Sequence, residues 1–397
     1  MNLISLGVHA KLIRGITFKP NEICDLQDKE AVICLRTKNV QATLDTSDLI
    51  AIPRSLIKNP EKMILKGDIL VSSANSWNLV GKCCQVRELQ YPSTAGGFIS
   101  ILRTRTNELD SAYLYRWFSS DEIQRKVRSF GNQTTNISNL DHKKILNLQI
   151  PLPPFAEQKR IAAILDVADA LRAKRRESIA LLDTLLQSTF LDMFGDPITN
   201  PMGWEMGVIG DLLKSANYGT SKKANSEKGS YPILRMNNIT YSGEWDFSSL
   251  KYIDLDEKEL PKHLVHRGEI LFNRTNSKEL VGKTAVFRKS EPMAFAGYLV
   301  RGIVNELADP EYIGAFMNTP QIKTFLRNNC KNIVGMANIN AKEFQKIPIP
   351  KPPVDLQCRF AAIVESVERQ KVRLRAHLAE LDALFASLQQ RAFNGEL

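Results

Sequence analysis

Asn273-Arg274-Thr275-Asn276-Ser277 is the densest candidate in this chain for polar readout, four hydrogen-bonding side chains around a cation. Residues of these types suit the reading of a nucleic-acid duplex. Arg and Lys neutralise phosphates or pair with guanine, Asn and Gln pair with adenine, and Ser and Thr serve either. Comparable groups come in matched sets: Ser72, Ser73, Asn75 and Ser76 with Lys82 answer Asn273 to Ser277 with Lys283. Arg14 and Lys19 answer Ser221, Lys222 and Lys223, and Arg36, Lys38 and Asn39 answer Arg235, Asn237 and Asn238. Taken singly, each is equally an ordinary solvated loop residue or a turn-capping Asn. As sets in equivalent places, they point to a surface facing DNA.

Covalent chemistry finds weaker candidates. Leu152-Pro153-Pro154-Phe155 approaches the Asn/Asp-Pro-Pro-Phe/Tyr motif of adenine methylation. Leucine, however, cannot hydrogen-bond a target amino group, and the related stretch reads Lys351-Pro352-Pro353-Val354. Paired prolines here fit the opening of a helix, where the missing N–H costs nothing. Gly282-Lys283-Thr284 supplies the end of a phosphate-binding loop, but Ser277 stands where its first glycine belongs and Gly81-Lys82-Cys83 lacks the hydroxyl. Asp256-Glu257-Lys258 is too common a cluster to mark a nuclease. His263 and His266 have no second pair to complete a zinc site, and Cys24, Cys34, Cys83, Cys84, Cys330 and Cys358 form no C-x-x-C. The cysteines read as buried or surface thiols in a reducing compartment.

The elements that must position these groups are written twice. Gly67-Asp68-Ile69-Leu70, Asn75-Ser76 and Leu79-Val80-Gly81-Lys82 recur as Gly268-Glu269-Ile270-Leu271, Asn276-Ser277 and Leu280-Val281-Gly282-Lys283 at an offset of 201. Ala95-Gly96 matches Ala296-Gly297 at the same offset, and Asn136-Ile137 matches Asn338-Ile339. Ile150-Pro151-Leu152-Pro153-Pro154 returns as Ile349-Pro350-Lys351-Pro352-Pro353. A period this long is a duplicated domain with its helix, not a solenoid. Within each copy, short apolar runs such as residues 31–35, 68–71 and 97–102 predict strands, and residues 111–129 and 310–328 predict helices.

After each proline pair the pattern becomes helical. Ile161, Ile164, Ala168, Leu171, Ile179, Leu182, Leu186 and Thr189 keep close to a 3.5-residue spacing, as do Phe360, Ile363, Val367, Leu374, Leu378, Leu381, Phe385 and Leu388. Gly195-Asp196-Pro197 and Asn394-Gly395 supply the stops. Each helix of about 39 residues would run ~58 Å, which admits two domains about one duplex turn, ~34 Å, apart. So long a helix with a narrow apolar stripe needs a coiled-coil partner, and the other copy is the nearest. Arg175, Ser178, Gln370 and Lys371 interrupt the seams and are expected to fix register.

The formal charge is +10. Residues 155–194 hold six basic and six acidic side chains and residues 354–393 six and five, so the excess lies in the two other blocks. A basic balance suits an anionic partner. The longest apolar runs are about six residues, far short of a membrane span of ~20. Residues 1–15 carry no signal-peptide pattern, leaving the cytoplasm as the default location.

In its order of parts the chain resembles the specificity subunits of type I restriction-modification enzymes. The resemblance is carried by residues 150–164 with Phe194-Gly195-Asp196, residues 349–363 with the Leu-rich last helix, residues 67–82 and 268–283, and Tyr218-Gly219-Thr220-Ser221-Lys222-Lys223-Ala224. It covers practically the whole chain and implies an α+β fold. Two mixed target-recognition domains, residues 1–150 and 196–349, alternate with spacer helices, residues 151–195 and 350–397, that pack antiparallel. It also implies that each domain recognises half of a split site in double-stranded DNA. The helices would dock two methyltransferase subunits, with Glu157, Gln158, Arg160, Gln357 and Arg359 as docking residues, and restriction/translocase subunits would join. The chain itself would be non-catalytic, with AdoMet, ATP and Mg2+ on its partners. The second helix opens Val354-Asp355-Leu356-Gln357-Cys358-Arg359 without counterparts of Glu157 and Lys159, which implies unequal docking at the two ends. Differences between Ser72-Ser73-Ala74 and Asn273-Arg274-Thr275 imply unlike half-sites. Two other readings stay open: a coiled-coil scaffold whose domains bind protein or RNA, and a self-contained DNA-modification enzyme.

Overall fold

The repeat seen in the sequence is a repeat of sheets. The computed structural model describes residues 2–133, 137–333 and 336–397, so the expected repeat position Asn136 lies outside the described residues. The chain forms two compact units, residues 1–175 with 377–397 and residues 176–376, and the divisions fall within the two long helices.

In the first unit, Ala10–Arg14, Ile99–Thr104, Ile69–Ser72 and Cys83–Gln85 form an antiparallel sheet in that spatial order. Ile69-Leu70-Val71 is apolar throughout because both sheet faces are covered. Ile69 and Val71 pack with the helical cluster around Tyr113, Trp117 and Leu165, whereas Leu70 faces Leu35, Ala51 and Ala95. The latter belong to a second sheet, Ala51–Pro53, Ala31–Leu35 and Ser93–Ala95, whose last pair is parallel. The second unit repeats this plan: Leu213–Tyr218, Leu299–Val304, Ile270–Asn273 and Thr284–Val286 form the first sheet. Ile270 and Phe272 face the helices, and Leu271 faces the other sheet. Gly15 and Gly219 let the chain leave the first strand against a carbonyl, since a Cβ at either would lie 2.2 Å from the oxygen of Gly96 or Phe295.

Two expectations are corrected. The offset of 201 does not persist through the later strands: Ala95 pairs with Leu35 where Phe295 pairs with Leu234. Gly96 therefore corresponds to Ala296 and Phe98 to Tyr298, because the connection after Gln85 is one residue longer than that after Val286. The helices expected over residues 111–129 and 310–328 are each broken in two: Ser111–Phe118 and Asp121–Ser129, then Pro310–Asn318 and Pro320–Asn329. Pro320 has no N–H and holds Thr319 in extended conformation, so the second pair cannot be continuous.

The long helices run Phe155–Phe194 and Val354–Asn394, 40 and 41 residues. Gly195 and Gly395 end them with φ of 81° and 83°, the left-handed geometry that favours glycine. Within the first unit Arg172 bonds Asp382 at 2.6 Å and Tyr113 meets Phe393 edge-on. Within the second, Phe190 and Phe194 pack on Phe360, and Lys371 donates to Asp183 at 2.5 Å. In each unit the two helical segments run antiparallel. The buried stripe differs from the expected one by a residue in places. Leu165 and Val364 are buried, whereas Ile363 and Leu171 are exposed and Ile164 only half-buried, because the domains cover one flank of a 3.6-residue helix.

Candidate nucleic-acid interface

The side chains expected at an interface separate into those the fold consumes and those it leaves on the surface. Gln158 and Gln357 are wholly buried. Gln158 accepts from Asp110 N at 2.9 Å and donates to the carbonyls of Glu108 and Pro153; Gln357 accepts from Asp309 N at 3.0 Å and donates to those of Leu307 and Pro352. Both act as clamps between a helix opening and the start of a domain helix, which corrects their expected docking role. Beside them Tyr113 and Tyr312 donate to Pro151 O and Pro350 O at 2.9 and 2.7 Å. At the first opening Glu157 and Arg160 form an ion pair, and Arg160 also donates to Leu397 O. Its hydrogen bond holds the Glu157 carboxyl below the usual range. Arg160 and Arg359 are exposed.

Asn39 and Asn238 are likewise corrected. Both are buried, and each accepts from the backbone N–H of Arg36 or Arg235 while donating to carbonyls of its own loop, Asp45 and Asp48 or Asp246 and Ser249. They are the turn-capping asparagines that their residue type equally allowed. Arg36 and Lys38 pair with Asp48, Arg235 donates to Ser249 O, and Asn237 is exposed. Arg14, Lys19, Ser221, Lys222 and Lys223 are exposed, with Lys222 paired to Glu259.

The stretches expected as outward loops are short strands. Ser72, Asn273, Thr275 and Lys283 are buried, so they do not form an outer surface. Thr275 accepts from Asn338 Nδ2 at 2.9 Å, and Lys283 donates to Met236 O at 2.6 Å, its burial lowering the ammonium pKa. Lys82 donates to Gln41 Oε1, and the Oδ1 atoms of Asn75 and Asn276 accept from Ser76 N and Ser277 N. What remains open along this edge is Ser76, with Ser73, Asn75, Arg274, Asn276 and Ser277 half-buried. The guanidinium of Arg274 lies 4.9 Å over the ring of Tyr218, whose hydroxyl accepts from Ala341 N at 2.9 Å.

Sequence reasoning missed the neighbours that the fold brings to this edge: Ser100, His142 and the exposed rings of Phe98 and Tyr298. Their signal was the doubled pattern read at the corrected offset, which aligns Phe98 with Tyr298. His142 Nε2 lies 3.0 Å from Ser100 Oγ, and burial, then the charge of Arg14, lower its pKa, so the ring is neutral near neutral pH. Burial pushes the thiols of Cys34 and Cys84 up to about 11 and about 12, which suits packing rather than reactivity. Among the described residues no helix is long and apolar enough to cross a membrane.

A doubled domain with paired helices and a polar edge on each copy defines a class, and comparison with known proteins agrees. The type I restriction modification DNA specificity domain matches residues 11–181 and again residues 201–381, and the chain belongs to that family. It is 26% identical over 409 residues to the type I restriction enzyme EcoKI specificity subunit of Escherichia coli (strain K12), covering 97% of this chain and 87% of that one. To the StySPI specificity subunit of Salmonella potsdam it is 24% identical over 408 residues, with the same two coverages of 97% and 87%. The crystal structure of the S subunit of a type I restriction-modification system from M. genitalium shares its fold, with a TM-score of 0.55 at 15% identity over 99% of this chain and 96% of that one.

Proposed function

We propose that this chain is the DNA sequence-specificity subunit of a type I restriction-modification complex, each domain reading one half of an asymmetric, split site. The observation that carries this is the doubled frame with unlike side chains at equivalent surface positions. Arg14 and Tyr218 end the same strand of the two copies, and Ser73 and Arg274 follow the same central strand. One frame with two chemistries is what two unlike half-sites require. The helices set the gap between half-sites and dock two methyltransferase subunits through the half-buried Glu157 and the exposed Arg160 and Arg359, and restriction/translocase subunits join the assembly. Catalysis, with AdoMet, ATP and Mg2+, belongs to those partners, and the complex acts in the cytoplasm.

The test is the affinity of the complex of this chain with its methyltransferase subunits for duplex DNA between about 50 and 200 mM salt. Affinity should fall with a log–log slope near −0.9 per neutralised phosphate. Lys19→Ala and Lys223→Ala should each make that slope shallower by about one. Duplex affinity indifferent to salt, or absent, would favour a scaffold for protein or RNA.

A further inference from the structure

At one corner of each domain the fold gathers the end of the first strand, the residue after the central strand, the tip of the neighbouring hairpin and the start of a short helix. In the first domain these positions hold Arg14, Ser73, Phe98 and His142, and in the second Tyr218, Arg274, Tyr298 and Ala341. The equivalence is topological. Arg14 pairs with Ser100 as Tyr218 pairs with Val300, and Ser73 N donates to Phe98 O as Arg274 N donates to Tyr298 O, at 2.9 and 3.0 Å. Leu140 N donates to Ser73 O and Ile339 N to Arg274 O, both at 2.9 Å, and His142 and Ala341 each open a helix capped by the preceding residue, Asp141 or Asn340. We propose that this corner is the base-reading element of each domain and that its side chains set the base preference of that half-site. The proposal rests on the reading of the domains as half-site readers and goes further by naming the side chains.

The two corners mount different hydrogen-bonding groups on the segment beside the exposed ring, although the first also carries the exposed donor Arg14. In the first, Ser100 Oγ donates to Ser73 Oγ at 3.1 Å, and Ser73 Oγ donates to Phe98 O at 3.2 Å. His142 Nε2 lies 3.0 Å from Ser100 Oγ, and the tautomer that donates to this hydroxyl leaves Nδ1 of the neutral imidazole as an acceptor. An acceptor reads an exocyclic amine, that of adenine or cytosine. In the second, Arg274 presents a donor fork. Its guanidinium carbon lies 4.9 Å over the Tyr218 ring, its Nη1 reaches Gly297 O at 3.3 Å, and its Nε is buried with no acceptor among the described residues. A pre-set guanidinium matches the two acceptors of guanine in the major groove. The exposed aromatic is common to both corners. Phe98 is 62% and Tyr298 52% exposed, each on a backbone whose carbonyl is bonded to the reading segment. A rigidly mounted ring on a polar, cationic edge fits duplex DNA, where it covers a thymine methyl or wedges a base step.

The experiment maps methylated sites and measures duplex affinity for the complex of this chain with its methyltransferase subunits. Arg274→Lys keeps the charge and removes the fork. It should relax one position of the second half-site, about 10- to 100-fold in discrimination, with the salt slope and the first half-site unchanged. His142→Ala should relax one position of the first half-site alone. Phe98→Ala and Tyr298→Ala alter exposed side chains, so they test the corner without endangering the fold, and each should weaken cognate binding about 10-fold at an unchanged salt slope. Variants that methylate the parental motif with parental discrimination overturn the corner while leaving half-site reading intact. A parental complex that is active on an unsplit motif overturns both.

Discussion

Arg172 and Lys371 occupy the same place in the two halves of the repeat, yet they are held differently. Arg172 bonds Asp169 and Asp382, lies 4.3 Å over the ring of Phe385, and keeps 18% of its side chain exposed. Lys371 is 2% exposed and pairs with Asp183, Glu368 and Glu244. The aspartates Asp382 and Asp183 are themselves repeat partners, so each unit keeps a cation between its two helical segments. The difference lies in what the globular domain contributes. In the first unit the domain supplies the cation, Arg116, to Asp166 and Asp169 of the helix. In the second it keeps a cation, Arg267, beside Glu365, the repeat partner of Asp166, and adds an anion, Glu244, on Lys371 and Arg375. A duplicated frame thus tolerates an added charge at its junctions provided each buried charge stays paired. The same freedom lets the two reading edges diverge.

The largest effect should come from removing the more deeply held cation. Burial opposes the charge on Lys371, but hydrogen bonds to Asp183 and Glu244 outweigh it and raise its pKa. Lys371→Ala leaves those carboxylates facing each other and should cost about 3 kcal/mol in urea denaturation of the full chain. Arg172→Ala, at a wetter site, should cost about 1 kcal/mol. Equal losses would break the contrast between the junctions.

A smaller effect separates Lys323 from Gln124, which hold the same helical position in the two copies. Gln124 donates to Phe118 O, whereas Lys323 donates to Gly282 O without a carboxylate partner in the hydrogen bonds and ion pairs of the described residues. Burial, aided by nearby Lys283, lowers its pKa to about 7. An unfolded lysine keeps its proton to about 10.4. Between these values the unfolded chain binds more protons, so this group makes stability rise with pH from about 7 to about 10.4. Lys323→Gln should therefore raise Tm most below about pH 7, with the gain shrinking from neutral pH towards pH 10. A gain that does not vary with pH would contradict the assignment of a buried ammonium held by Gly282 O and the Tyr241 ring without a carboxylate.

The periodic features were legible in the sequence because they are local. Paired prolines and terminal glycines bounded helices of 40 and 41 residues against an expected length of about 39. The break at Thr319-Pro320 was also local, but an apolar spacing continuing across it hid the proline's effect. The polar edge was less legible, since residue type does not reveal where a hydrogen bond is spent. Asn39, Asn238, Gln158 and Gln357 have the chemistry of readers or dockers, and the fold uses all four internally. Lys371 was visible as a polar interruption of the seam, but its partner Glu244 is 127 residues away in sequence. His142, Ser100 and Phe98 come together only once a strand register is fixed, and the register itself shifts by one residue between the copies.

One half-site per domain is tested most directly by methylation mapping in cells that express this chain with its cognate methyltransferase subunit, before and after residues 200–348 are exchanged for those of a relative with another specificity. The expected result is a split motif with two unlike halves, of which only one changes on exchange. An unsplit motif, or a change in both halves at once, would contradict the assignment of one half-site to each domain.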